Sequence, residues 1–569
     1  MAMLTPWGET LDRDNILPEY PRPQLRRDSY LNLNGAWDYA ITAVPTPPET
    51  WDGEILVPFS PESVLSGVNR QLLPGQYLRY HRSVTLPEGF LCADPCRVLL
   101  HFGAVDSACT VLIDGAEVCR HTGGFTPFTA DVTDAALCGS FELTVLVTDD
   151  SDRGFCARGK QKLKPGGIWY TAQSGIWQTV WMECVPENHV RALRIIPRYD
   201  ESAVELWVAG EGECTAEFDG CVHSFPAGEP AVLPVENLHP WSPEDPFLYD
   251  LTLTLGDDRV ESYFAMRKFS VEKDAEGQPR LFLNGAPYFH NGLLDQGYWS
   301  DGLLTAPSDE ALIFDIETAK RMGFNMLRKH IKLEPLRWYY HCDRLGMLVW
   351  QDVPSGGGRY RPPVVSAPLF TGIHLKDSHY ALFGRRSPES RRQYFSELRE
   401  VLNTLVNCPC IAMWVPFNEG WGQFDAEKVC KRITETDSTR TIDHASGWHD
   451  QSIGSIRSEH VYFRSYRFSP DGLDRAVVLS EFGGYNFRID GHSFGSRSFG
   501  YKRFDSANSY RYALTDLYRR QIAPAREEGL AAAVYTQLSD VETELNGLIT
   551  YDRRAVKIPP ELMSGILRF

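Results

Sequence analysis

The hydrophobic period changes at Phe269, and that change limits the fold more than any other feature of this 569-residue sequence. Beyond it, short apolar runs alternate with segments of helical periodicity, the pattern of a parallel βα array. Eight strands are expected: PYFHNGLLD from Pro287, NMLRKH from Asn325, MLVWQD from Met347, IAMWVPFN from Ile411, TIDHAS from Thr441, HVYFRSY from His460, AVVLSEF from Ala476 and AAAVYTQL from Ala531. Between them, patterns such as DIETAKRMG and EPLRWYYHCDRLG read as helices, each stopped by a glycine just past its end, Gly323 and Gly346. Eight such strands within roughly 300 residues imply a closed (β/α)8 TIM barrel.

Before the switch the chain reads as antiparallel β. LRYHRSVTL, RVLLHFGAV, ACTVLIDGAEVCRH and FELTVLVTDD follow one another with polar turns, and Asp114-Gly115 is a strong hairpin signal. A β-sandwich over residues 1–185 follows, then a smaller immunoglobulin-like β-sandwich over 186–268 that includes VRALRIIPRYD and LYDLTLTLGD. The fold class is therefore multidomain, with the (β/α)8 barrel over residues 269–569.

Composition narrows the function. A net charge of −18 argues against nucleic acid and against an anionic membrane surface, since both need a basic face. The amino terminus lacks a basic segment followed by an apolar one, and no run of about 18 apolar residues occurs, so a cytoplasmic chain is expected. Thirteen cysteines without framework spacing fit reduced thiols. The 12% of aromatic residues suits β-rich domains and a site that stacks on flat apolar faces such as sugar rings.

In a barrel of this kind chemistry gathers where strands end at the C-terminal face. Two expected strands end on glutamate, the fourth at Glu419 within PFNEGWG and the seventh at Glu481 within LSEFGG. Two such carboxylates facing each other across the mouth, about 5 Å apart, would match retaining glycoside hydrolysis.

These motifs, in this order with FLNGAPYFHNG, GFNMLRKH and LGMLVWQDVPSGG, resemble glycoside hydrolase family 2, the β-galactosidase, β-glucuronidase and β-mannosidase family. GFTPFTADVTD and SGIWQTVWME look like that family's jelly-roll-like sugar-binding domain. The resemblance implies Glu419 as general acid/base and Glu481 as nucleophile, and it requires no metal and no cofactor. A small carbohydrate or glycoside is the implied partner, and a homo-oligomer is compatible with the family.

Around the pair, Asn418 could hydrogen-bond a sugar 2-hydroxyl, and Tyr462 or Tyr466 could donate to Glu481. Arg328 and His330 share a face of strand two and match pocket positions of the family. Asp295, Asp352, His444 and Trp421 are further candidate substrate contacts. Two long excursions, Pro354 to Arg386 and Gly483 to Asp505, follow strands at the same face and read as walls of a pocket, which implies exo action.

The sugar is addressed by a departure from the family. Its β-glucuronidases carry Asn-x-Lys before a Gly-hydrophobic-hydrophobic-Thr run, whereas here Glu544-Leu545-Asn546 precedes Gly547-Leu548-Ile549-Thr550. A glutamate at that wall would repel a sugar carboxylate by about 1 kcal/mol or more, which favours a neutral sugar such as β-galactose. A uronidase would need a carboxylate clamp from Arg464, Arg467 or Arg488. A non-catalytic carbohydrate-binding protein and a transglycosidase are the alternatives on the same scaffold.

Overall fold

A computed structural model describes residues 3–91 and 95–568. Its first portion holds two antiparallel sheets face to face. One has four strands, ordered Leu31–Asn32, Val180–Pro186, Cys96–Phe102, Phe128–Asp131; the other has six, ordered Gly53–Val57, Gly35–Thr42, Tyr77–Thr85, Ser140–Thr148, Ala108–Ile113, Ala116–Thr122. Alternation along Ser140–Thr148 sends Phe141, Leu143, Val145 and Val147 inward, against Leu100, Phe102 and Trp37. The hairpin at Asp114-Gly115 forms as its sequence demands, with positive φ at both residues.

A second pair of antiparallel sheets, of three and four strands, spans Ala192–Arg198 to Asp258–Phe264 around Val204, Leu206, Phe218, Leu253 and Val260.

Eight parallel strands follow: β1 (His290–Asp295), β2 (Met326–Lys329), β3 (Leu348–Asp352), β4 (Ile411–Val415), β5 (Thr441–Ile442), β6 (Ile456–Val461), β7 (Ala476–Gly483) and β8 (Ala532–Thr536). The ladder runs β5-β4-β3-β2-β1-β8-β7-β6, so hydrogen bonding is continuous except at the β5/β6 seam. There side chains span the gap: Ser446 Oγ lies 3.1 Å from His460 Nε2. β1 to β4, β7 and β8 are buried on both faces, as expected of parallel strands covered by helices outside and packed side chains inside.

Gly346 ends the helix Leu336–Leu345 at φ 73°, and a Cβ there would lie 2.4 Å from the Pro243 carbonyl, so this turn seats the barrel against the second sandwich. Helices follow six of the strands. Among the described residues none follows β5 or β6, where the sequence reading of a regular alternation breaks down. No helix among the described residues is long and apolar enough to cross a membrane.

Candidate active site

Glu481 lies within β7, flanked by irregularities in register on both sides, between Glu459 and His460 of the neighbouring ladder and between Leu479 and Phe482 of the other. Such bulges re-aim side chains at barrel rims. Glu419 differs from its sequence reading, because β4 stops at Val415 before Pro416, whose nitrogen has no hydrogen for a ladder. Glu419 instead occupies a turn at φ 50°, its N–H donating to Ser446 O at 2.8 Å. A non-glycine residue at such a φ stores strain of about 1 kcal/mol or more, which here fixes where the carboxylate points.

The turn and the bulged strand bring Glu419, His460 and Glu481 together, with one ligand atom of each within 4.8 Å of the others. His460 Nδ1 lies 2.9 Å from Glu419 Oε1 and 3.6 Å from Glu481 Oε2. Arg328, on β2 and fully buried, donates to Glu481 Oε1 at 3.1 Å, to both oxygens of Asp352 at 3.0 Å and to Asn418 Oδ1 at 2.8 Å. Asn418 therefore accepts from the arginine and keeps its amide as a donor. His330 Nδ1 lies 2.6 Å from Asp352 Oδ2. The Tyr462 hydroxyl donates to Glu481 Oε2, lies 3.0 Å from Thr536 Oγ1, and its ring stacks on Tyr501 at 3.7 Å.

These surroundings separate the two carboxyl groups. Burial raises Glu419, and the nearby Glu481 charge adds to this, while His460 opposes; the outcome is a carboxyl held above its ordinary range. Burial pushes Glu481 the same way, but His460, Arg328 and His330 outweigh it and bring it down to about 2. The two groups are thus displaced in opposite directions, Glu419 toward holding its proton and Glu481 toward the ionised form. The cationic side of Arg328 and the tyrosine hydroxyl are what hold that anion.

Trp421 forms a wall. It is buried, stands 6.1 Å from the His330 ring, and packs against Trp169 of the first sandwich and Tyr360 of the excursion after β3. Trp414 points away and donates to Asp437 Oδ2 at 2.7 Å. Glu544 has both oxygens engaged, one by the Tyr170 hydroxyl and the other by Asn546 Nδ2 at 3.0 Å.

Several sequence expectations are corrected. Asp295 is not with the pair: it accepts from Lys329 Nζ at 2.6 Å, and Lys329 alternates with Arg328 and His330, so it projects from the opposite face of β2. His444 is held by the turn after it, 3.0 Å from Asp450, which in turn binds Arg475. Tyr466 lies beyond β6, which starts four residues and ends five residues earlier than the sequence suggested, and its N–H donates to Gln521. Of the proposed arginine clamp, Arg464 and Arg467 are exposed, and Arg488 bonds the Gly495 carbonyl beside Asp490. His460, Tyr501 and Lys160 were not identified as site residues. A histidine inside an apparent strand was their one legible signal.

The fold and site together define a class: parallel eight-strand barrels that present two close carboxylates of unequal acidity at the C-terminal mouth. The chain belongs to glycoside hydrolase family 2. Its residues 283–476 match the family's TIM barrel domain and residues 198–267 match a second domain described as glycosyl hydrolases family 2. The first match includes Arg328, His330, Asp352, Glu419 and His460 and stops short of Glu481.

A β-galactosidase of Thermoanaerobacter pseudethanolicus is 22% identical over 59% of this chain and 44% of its own length. The β-glucuronidase of Rattus norvegicus is 22% identical over 60% of this chain and 54% of its own. The chain thus spans about half the length, or less, of the curated relatives it matches. Among solved structures, a β-D-glucuronidase of Dictyoglomus thermophilum superposes with a TM-score of 0.73 at 16% identity, covering 97% of this chain and 99% of that one. A β-galacturonidase of Eisenbergiella tayi gives 0.71 at 17%, covering 96% and 99%. At these identities the structural likeness concerns the fold.

Proposed function

We propose that the protein is an exo-acting retaining β-glycosidase, with Glu481 as nucleophile and Glu419 as general acid/base. The observation that carries this is the spacing of the pair, within 4.8 Å, joined to their opposite displacement in acidity. A gap this short favours direct attack by a carboxylate, since an inverting site needs about 6.5 Å or more to admit water between the groups.

Glu481 attacks the anomeric carbon of the β-glycoside while Glu419 passes its proton to the departing glycosidic oxygen, giving an α-linked glycosyl ester on Glu481 and a free alcohol. Glu419, now ionised, takes a proton from water, whose oxygen attacks the anomeric carbon and releases Glu481. Asn418 donates to the sugar 2-hydroxyl, a contact that strengthens in the oxocarbenium-like transition state. A purely binding role has little support, because both carboxylates are in place and close together, with their acidities displaced in opposite directions.

Two sugars are favoured by different walls. The negative charge of Glu544 supports a neutral sugar, for which a β-galactoside is the first substrate to try. An acidic sugar is supported by a cation that the arginine expectation did not include, Lys160, which lies beside Trp421. Turnover of aryl β-galactoside, β-glucoside, β-mannoside, α-arabinoside, β-glucuronide and β-galacturonide tests the reading. Release of phenol from one of them with retention at the anomeric carbon is expected; release with inversion would overturn it.

The Tyr462 hydroxyl gives a further test. Tyr462→Phe removes a donor to the Glu481 anion, so kcat should fall by about tenfold or more, in the range typical of one charge-assisted hydrogen bond. The acidity of Glu481 should weaken as well, and the low-pH loss of activity should begin at a higher pH than in the parent protein. An unchanged acid limb would show that the hydroxyl does not hold the anion.

A further inference from the structure

Four lysines are buried among the described residues: Lys160, Lys329, Lys332 and Lys557. Three are fully engaged. Lys329 binds Asp295 at 2.6 Å and Glu334 at 2.8 Å. Lys332 binds Glu334 at 2.8 Å and the carbonyls of Gly297 and Leu304. Lys557 binds Asp540 at 2.6 Å and the Leu545 carbonyl. Lys160, only 6% exposed, has no hydrogen bond or ion pair to its ammonium among the described residues. It meets only ring faces, Tyr170 at 5.5 Å and Trp421 at 5.9 Å.

The fold holds this lysine in place from both sides. Arg158 donates to the Gly357 and Gly358 carbonyls of the excursion after β3. At Gly159, φ is +58° and a Cβ would lie 2.8 Å from the Ile331 carbonyl at the end of β2, so the first sandwich approaches the barrel mouth as closely as backbone allows. Gln161 then anchors on Asp106 at 2.9 Å, and residues 161–162 pair with Tyr170–Thr171. Lys160 Nζ lies 5.9 Å from the centre of the Trp421 ring, and that ring stands 6.1 Å from His330, so the ammonium sits against the wall of the catalytic mouth. Lys162, two residues on, covers Trp169 at 4.0 Å, a second cation on the same rim in a chain of net charge −18.

The Lys160 side chain is buried while its Nζ keeps some contact with solvent and lacks a protein acceptor, and contacts with ring faces offset only part of the cost of drawing an ammonium from bulk water. Neutral sugar hydroxyls would satisfy its hydrogens but leave its charge unmatched. We propose that Lys160 is the specificity-determining residue that binds the carboxylate of the terminal sugar, so that the substrate is a β-linked hexuronide. This rests on the glycosidase reading above and replaces the arginine clamp with a lysine delivered by the first sandwich. Glu544 does not compete for it, since its oxygens are held by Tyr170 and Asn546.

The test compares kcat/KM for aryl β-galacturonide and β-glucuronide with aryl β-galactoside and β-glucoside, in the parent protein, Lys160→Gln and Lys160→Arg. The parent should prefer one uronide over its neutral counterpart by tenfold or more, and Lys160→Gln should reduce that ratio by tenfold or more, with Lys160→Arg recovering part of it. Calorimetric binding of free galacturonic and glucuronic acid against galactose and glucose provides a second readout that needs no turnover, and melting temperatures verify that the variants fold.

Hydrolysis of a neutral glycoside with no uronide preference overturns the proposal and leaves the glycosidase reading intact. An equal loss on charged and neutral substrates in Lys160→Gln also overturns it, because the lysine would then act on the carboxylate pair. Absence of turnover on every glycoside together with absence of uronic acid binding would remove both readings.

Discussion

Glu481→Ala is expected to lower kcat on any accepted aryl β-glycoside by about 10⁴-fold or more, about 5.5 kcal/mol in the barrier. The double displacement has no first step without that carboxylate. Removing the side chain also opens space beside Arg328, whose Nη1 lies 3.1 Å from Glu481 Oε1 in the parent. Azide added to this variant should enter from the vacated side and restore turnover of an activated aryl glycoside. The product would be the α-glycosyl azide, formed by a single inversion. Recovery of the β-azide, or residual activity within tenfold of the parent, would remove Glu481 from the nucleophile's role.

The second large effect concerns the proton held on Glu419. In Glu419→Gln, substrates with poor leaving groups such as alkyl β-glycosides should lose about 10²- to 10⁴-fold, the usual worth of general acid catalysis. Dinitrophenyl glycosides, which leave without protonation, should lose much less in the glycosylation step. The pH dependence follows with its sign. Glu419 is raised above the ordinary carboxylate range, so its proton is retained beyond the usual pH and activity falls only as pH rises through that elevated value. Glu481 is depressed to about 2, so its contribution to activity is lost only as pH falls through that region. The basic limb of kcat/KM should therefore disappear in Glu419→Gln. Equal losses on good and poor leaving groups, with the basic limb intact, would assign Glu419 to binding alone.

How much of this was legible depends on what each residue's signal consists of. Strand β7 is an apolar run carrying a carboxylate near its end, so its place follows from pattern, while the role of Glu481 comes from the resemblance of LSEFGG to the family motif. The carboxylate on the β4 side is harder: Pro416 terminates the ladder, and the positive φ of Glu419 is set by its backbone bond to Ser446, a residue 27 positions later. Sequence spacing carries no record of such a contact.

Strand β6 was misplaced because YFRSY has strong β propensity, while its residues beyond Val461 leave the ladder after a bulge that turns His460 toward both carboxylates. Alternation could not then choose between Tyr462 and Tyr466. Asp295 and Lys329 formed a pair across neighbouring strands on the outer side, whereas one-dimensional reading treated every acid after a strand as a candidate for the mouth. Lys160 was invisible for a different reason. It reaches the barrel from another sheet system, more than 100 residues ahead of β1, and its meaning comes from having no partner.

The central claim is that Glu481 forms a covalent bond to the sugar, and one measurement addresses it directly. The protein is incubated with 2-deoxy-2-fluoro glycosyl fluorides of galactose, glucose, galacturonic acid and glucuronic acid, digested, and mapped by mass spectrometry. A fluorosugar adduct on the peptide carrying LSEFGG, localised to Glu481 and absent after competition with excess substrate, is the expected result; an adduct on Glu419 or on any other residue would contradict the account.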